Sequence, residues 1–73
     1  MEAVVYPNPV ADVLRVNATE EVARFEVYAA SGAKVAESVE ADNVSVAALP
    51  AGFYLYRVTF ADGEVLTGRV VKK

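Results

Sequence analysis

Turn signals recur so often along this chain that the stretches between them are too short for ordinary helices. They fall at Pro7-Asn8-Pro9, Ala18-Thr19-Glu20, Ser31-Gly32, Asp42-Asn43, Leu49-Pro50-Ala51-Gly52 and Asp62-Gly63. Proline fixes φ there, glycine supplies positive φ, and Asn or Asp bonds its own backbone. Segments of about 5 to 9 residues remain, the length of strands. Several alternate with period two: Leu14 and Val16 about Arg15, Phe25 and Val27 about Glu26, Val44 and Val46 about Ser45. In Phe53–Phe60 the same rule puts Tyr54, Tyr56, Val58 and Phe60 on one face, which is read as core, and Arg57 and Thr59 on the other.

Asp62-Gly63 between β-rich runs tolerates the positive φ of a tight hairpin, so the strands on either side of it should pair. Ser31-Gly32 plays the same part between Phe25–Tyr28 and Ala33–Val39, and Pro50 and Gly52 occupy the i+1 and i+3 positions favoured in a type I turn. About seven strands result. The competing reading is a helix over Thr19–Ala30, where Val22, Phe25 and Ala29 are near helical spacing; Val27 and Tyr28 interrupt that stripe, and the strand is preferred. The expected fold is all-β, a seven-stranded antiparallel sandwich of immunoglobulin-like type. Its inner faces should carry Leu14, Val16, Phe25, Val27, Val35, Val46, Leu49, Tyr54, Tyr56, Val58 and either Val70 or Val71.

With 73 residues there is room for one domain, residues 1–73. Such a chain buries only about 60% of its unfolded surface, so a few kcal/mol of stability is expected. An apolar fraction of 55% nevertheless suits a folded core rather than a disordered tail. A net charge of −3 with no basic run argues against nucleic-acid binding, which needs clustered Lys and Arg to release phosphate counterions. No apolar stretch nears the roughly 20 residues of a membrane-spanning helix. Met1-Glu2-Ala3 has neither the basic nor the apolar region of a secretory signal, so the chain reads as a fragment of something longer.

Catalysis finds few tools here. Histidine and cysteine are absent, which removes the commonest general base and the thiol nucleophile and leaves serine and threonine unpartnered. Glu20-Glu21 and Glu37 with Glu40 read as solvated surface, and Asp42, Asp62 and Glu64 are too scattered for a calcium loop. The expectation is no enzyme, no catalytic residue, no metal and no cofactor.

The punctuation residues, taken together and in order, resemble the type A C-terminal sorting domain of proteins exported by the type IX secretion system. Val5-Tyr6-Pro7-Asn8-Pro9 followed by Asp12-Val13-Leu14 resembles the family's opening YPNP box. Val27-Tyr28 with Ser31-Gly32 is similar to its short strand and turn, and Leu49-Pro50-Ala51-Gly52-Phe53-Tyr54 to its "LpaGvY" box. Arg69-Val70-Val71-Lys72-Lys73 resembles its lysine-bearing last strand. The resemblance implies an address label: a folded domain, downstream of its cargo, recognised in the periplasm of a Gram-negative bacterium by the type IX translocon. The cargo then crosses the outer membrane, and a sortase-like peptidase commonly removes the domain as the cargo is secreted or anchored at the cell surface.

On that reading the recognised residues are Tyr6, Pro7, Asn8, Pro9, Gly52, Tyr54, Val70, Val71, Lys72 and Lys73. The bland account makes Tyr6 to Pro9 a stiff strand exit and gives Gly52 and Tyr54 to a turn and a buried ring. Lys72 and Lys73 serve equally as guards against aggregation or as steering charges, and an accessible terminal strand invites β-augmentation. Edges left free also favour a homodimer by strand pairing or swapping. The alternative function is an immunoglobulin- or fibronectin-like adhesion or carbohydrate-binding module, with Tyr6, Tyr28 and Phe53 as candidate stacking rings; a third is a spacer that only stabilises its cargo.

Overall fold

A computed structural model describes residues 2–73. Seven strands follow one another: β1 (Ala3–Tyr6), β2 (Val13–Ala18), β3 (Val22–Ala29), β4 (Lys34–Val39), β5 (Asn43–Ser45), β6 (Gly52–Phe60) and β7 (Val65–Lys72). They form a three-stranded sheet ordered β1-β2-β5 and a four-stranded sheet ordered β4-β3-β6-β7, with every strand pair antiparallel. The expected all-β, immunoglobulin-like sandwich is therefore what forms. Thr19–Ala30 is loop and strand, not helix.

Turn chemistry sets the register. Gly63 at φ +93° closes the β6–β7 hairpin, its N–H on Phe60 O at 2.9 Å, and the Asp62 carboxylate accepts from Glu64 N–H at 2.9 Å. Pairing then runs without a slip from Thr59–Val65 to Gly52–Lys72. Gly52 opens β6 at φ +147°, a backbone that costs any residue with a Cβ several tenths of a kcal/mol or more. Two residues on, the Tyr54 ring turns inward and its hydroxyl donates back to Pro50 O at 2.7 Å, locking the turn to the strand it starts.

The inner faces bury Val10, Leu14, Val16, Phe25, Val27, Val44, Val46, Tyr54, Val58, Phe60 and Val70. Leu49 and Tyr56 pack against this core half-buried. Of the terminal valines, Val70 points in and Val71 out. Val35 is a correction: expected inside, it is 37% exposed. The reason is a bulge in the β3–β4 ladder. Val27 pairs with Ala36 and Tyr28 with Lys34, so Val35 is the extra residue and the parity of β4 flips around it. Ala36 takes the inward position instead.

The registers also sort the charges. The turns at Thr19–Glu21, Glu40–Asp42 and Ala61–Glu64 gather at the end of the sandwich where β1 begins. They carry Glu20, Glu21, Glu40, Asp42, Asp62 and Glu64. Lys72 and Lys73 stand at the opposite end.

Candidate functional site

The segment that leaves β1 crosses from one sheet to the other. Tyr6 ends β1 on the edge of the three-stranded sheet, and the chain then runs through Pro7, Asn8 and Pro9, with both X-Pro bonds cis, to the rim of β7. There the Asn8 side chain grips two backbone groups: its Nδ2 donates to Arg69 O at 3.3 Å and its Oδ1 accepts from Val71 N–H at 3.1 Å. Val10 continues the seam in parallel with β7. Its N–H donates to Val71 O at 2.8 Å and its carbonyl accepts from Lys73 N–H at 2.9 Å, while its side chain is 1% exposed. This Asn8–Val10 strap makes the opening box and the terminal strand one surface.

The terminal strand is therefore less open than its position suggests. Both outward backbone groups of Val71 are occupied, and Lys72 is buried to its stem, with Nζ on Lys73 O at 3.2 Å. Tyr6 is exposed on the outer side of the three-stranded sheet. Gly52 pairs with Lys72 and Tyr54 with Val70, so these four lie beside the strap as ladder partners. Val10 is the participant that sequence patterning missed, because a single bridge residue between Pro9 and Asp12 has no period to display.

A second cluster covers the outer face of the four-stranded sheet. Glu26, directed outward by the alternation of β3, is only 3% exposed. Tyr28 OH donates to its Oε2 at 2.7 Å, Arg57 Nε to its Oε1 at 3.2 Å, and Lys34 Nζ lies 3.6 Å away. The Arg57 guanidinium also sits 5.8 Å over the Tyr28 ring. Burial would push the Glu26 carboxyl up, but the Tyr28 and Arg57 hydrogen bonds and the Arg57 and Lys34 charges outweigh it and hold the group below the ordinary carboxylate range. A lowered folded-state pKa means this contribution is complete above the unfolded value of about 4.3 and is lost as pH falls through the folded one. Urea midpoints should accordingly decline below about pH 4.5, and Glu26→Gln should flatten that limb; an unchanged acid limb would count against the cluster.

No group of three or more His, Cys, Asp or Glu is placed to hold an ion among the described residues. Nor is any helix among them long and apolar enough to cross a membrane. The candidate stacking rings do not share a platform, since Tyr6 faces out from one sheet and Tyr28 and Phe53 from the other.

The model of the secretion system C-terminal sorting domain matches residues 4–73. It spans both the strap and the terminal strand. The chain belongs to that family. No curated protein matches it as a relative. The sorting domain is a C-terminal secretion signal of type IX secretion cargo, and it marks proteins exported across the outer membrane to the cell surface or beyond. Its role implies interaction with the type IX machinery and an upstream cargo domain. Sorting domains are not known as enzymes.

Proposed function

We propose that the machinery reads this sorting domain as a folded object, through the strap and the terminal strand together. Tyr6, Pro7, Asn8 and Pro9 would form one bank of the recognised surface and Val71, Lys72 and Lys73 the other, with Gly52, Tyr54 and Val70 holding the strand beneath. The 73 residues act as a single domain without catalysis of their own, carried behind a cargo and cut from it by a sortase-like peptidase. The observation supporting this reading is the Asn8 amide, which bonds Arg69 O and Val71 N–H across more than sixty residues of sequence. A linear tail signal has no need of that bridge.

Asn8→Ala tests it. Each lost bond contributes about 0.5–1.5 kcal/mol, so the domain should remain folded with its Tm lowered by several degrees. Export of a reporter fused ahead of the domain should drop several-fold, while Lys34→Gln, far from the strap, should leave export unchanged. Full export by a folded Asn8→Ala fusion would overturn the reading.

A further inference from the structure

β7 is an edge strand that is covered along only part of its length. Phe60 N–H donates to Glu64 O, and antiparallel alternation from that pair directs the backbone groups of Val65, Thr67, Arg69 and Val71 away from β6. The strap occupies Val71 and the Arg69 carbonyl. Upstream, the N–H and C=O of Val65 and Thr67 and the N–H of Arg69 meet no backbone partner among the described residues. Other edges are blunted. β4 carries the Val35 bulge and is tied to β5 by Ser38 Oγ on Asn43 O at 2.6 Å, while β1 has four residues and β5 three.

A separate feature meets this edge on the same strand. A groove of about 370 Å³ opens on the outer face between Tyr28, Leu55, Arg57, Thr67, Gly68 and Arg69. Of its two guanidinium groups, Arg57 is committed to Glu26, whereas Arg69 has no carboxylate within ion-pair distance among the described residues. The site thus offers strand-spaced donors and acceptors beside an unmatched cation.

We propose that the Val65–Arg69 edge docks an extended acidic segment of a partner protein, which adds as a strand beside β7 and sets a carboxylate on Arg69. Only another polypeptide backbone repeats N–H and C=O at the spacing this edge presents. Arg69 then selects for acid. A second copy fits poorly: antiparallel pairing about Thr67 would set Arg69 against Val65 and leave the guanidinium unmatched. Assigning the partner to the secretion machinery rests on the reading above; the docking itself does not.

The test uses the 73-residue chain, labelled with nitrogen-15, and two capped eight-residue peptides that alternate Glu or Lys with Val and Thr. The Glu peptide should shift the amides of Val65, Thr67 and Arg69, slow their hydrogen exchange, leave β4 untouched, and bind at least about tenfold more tightly than the Lys peptide, a difference of one charge-assisted contact. Arg69→Glu should reverse that preference. Thr67→Pro, which removes a donor not used by β6, should abolish binding by both peptides while the Tm shows the fold intact. Equal affinity for the two peptides, self-association through these same amides, or displacement of the Glu peptide by anionic phosphatidylglycerol vesicles would each overturn the proposal. In the export assay the failures separate: a wild-type fusion held in the periplasm defeats the sorting reading, whereas wild-type export matched by folded Thr67→Pro and Arg69→Glu fusions defeats the edge.

Discussion

Phe25→Ala is expected to remove about 3–5 kcal/mol of unfolding free energy. At roughly 0.05–0.15 kcal/mol per residue, a chain of 73 residues holds only about 4–11 kcal/mol in all. Phe25 is, with Phe60, one of the two largest fully buried side chains, sits on the inner face of the inner strand β3, and is paired directly with the equally buried Val58. Its neighbours Val27 and Val58 are β-branched and stiff at χ1, so they are poorly suited to collapse into the space it leaves. Urea unfolding followed by circular dichroism should show the loss with little change in slope, and export of a fused reporter should fall with the folded fraction. Phe53→Ala is the control, because that ring is 66% exposed and should cost within about 0.5 kcal/mol. A loss below 1.5 kcal/mol for Phe25→Ala, a value set by roughly half the usual cost, would mean the core repacks around the hole.

Removing Arg69–Lys73 should abolish export altogether, through the fold before any question of recognition arises. The deletion takes away Val70, whose burial is worth about 1.5–3 kcal/mol. It also unmakes the ladder partners of Gly52, Phe53, Tyr54 and Leu55 and all four strap hydrogen bonds, each of those bonds worth about 0.5–1.5 kcal/mol. The sum rivals the whole stability of the domain. Side-chain recognition is isolated instead by the pair Lys72→Met and Lys73→Gln, which retains the buried stem of residue 72 and every backbone bond. That variant should keep its Tm within a few degrees and lose export in proportion to what the two charges contribute. A truncated protein with a native-like Tm would overturn the stability account, and a double variant exported as well as wild type would remove the two lysine charges from the recognition surface.

Most of the sandwich was legible because each half-buried strand writes its parity into two or three residues. Leu14 with Val16 and Phe25 with Val27 declare their inner faces, and Asp62-Gly63 declares the hairpin. What escaped lies where the period breaks. Val35 was misplaced since a bulge inserts one residue without any local signal, and in β4 only alanine and serine face inward to contradict it. Val10 escaped as a lone bridge between turns. Parity places Glu26 only on the face opposite Phe25 and Val27, whereas its burial depends on Tyr28, Lys34 and Arg57, the last of them thirty-one residues away. Such long-range partners are set by strand order, which no local pattern encodes. The recognised residues were legible as a motif, but the Asn8 amide clamp that joins their two halves needed the strand crossing to be seen.

The sorting of charge along the strands gives the domain two electrical poles. Acidic turns crowd the end where β1 starts, Lys72 and Lys73 stand at the other with Asp12 beside Lys73, and the molecule is 32 Å long. At physiological salt a field fades over about 8 Å, so this asymmetry acts only at near contact, as an orienting torque rather than a long-range pull. A passenger joined ahead of β1 trails from the negative pole. An acidic partner surface would orient the domain strap end first, with the cargo held clear behind it. Added salt would slow that capture by widening the range of failed approaches, and leave the lifetime of the docked state almost untouched.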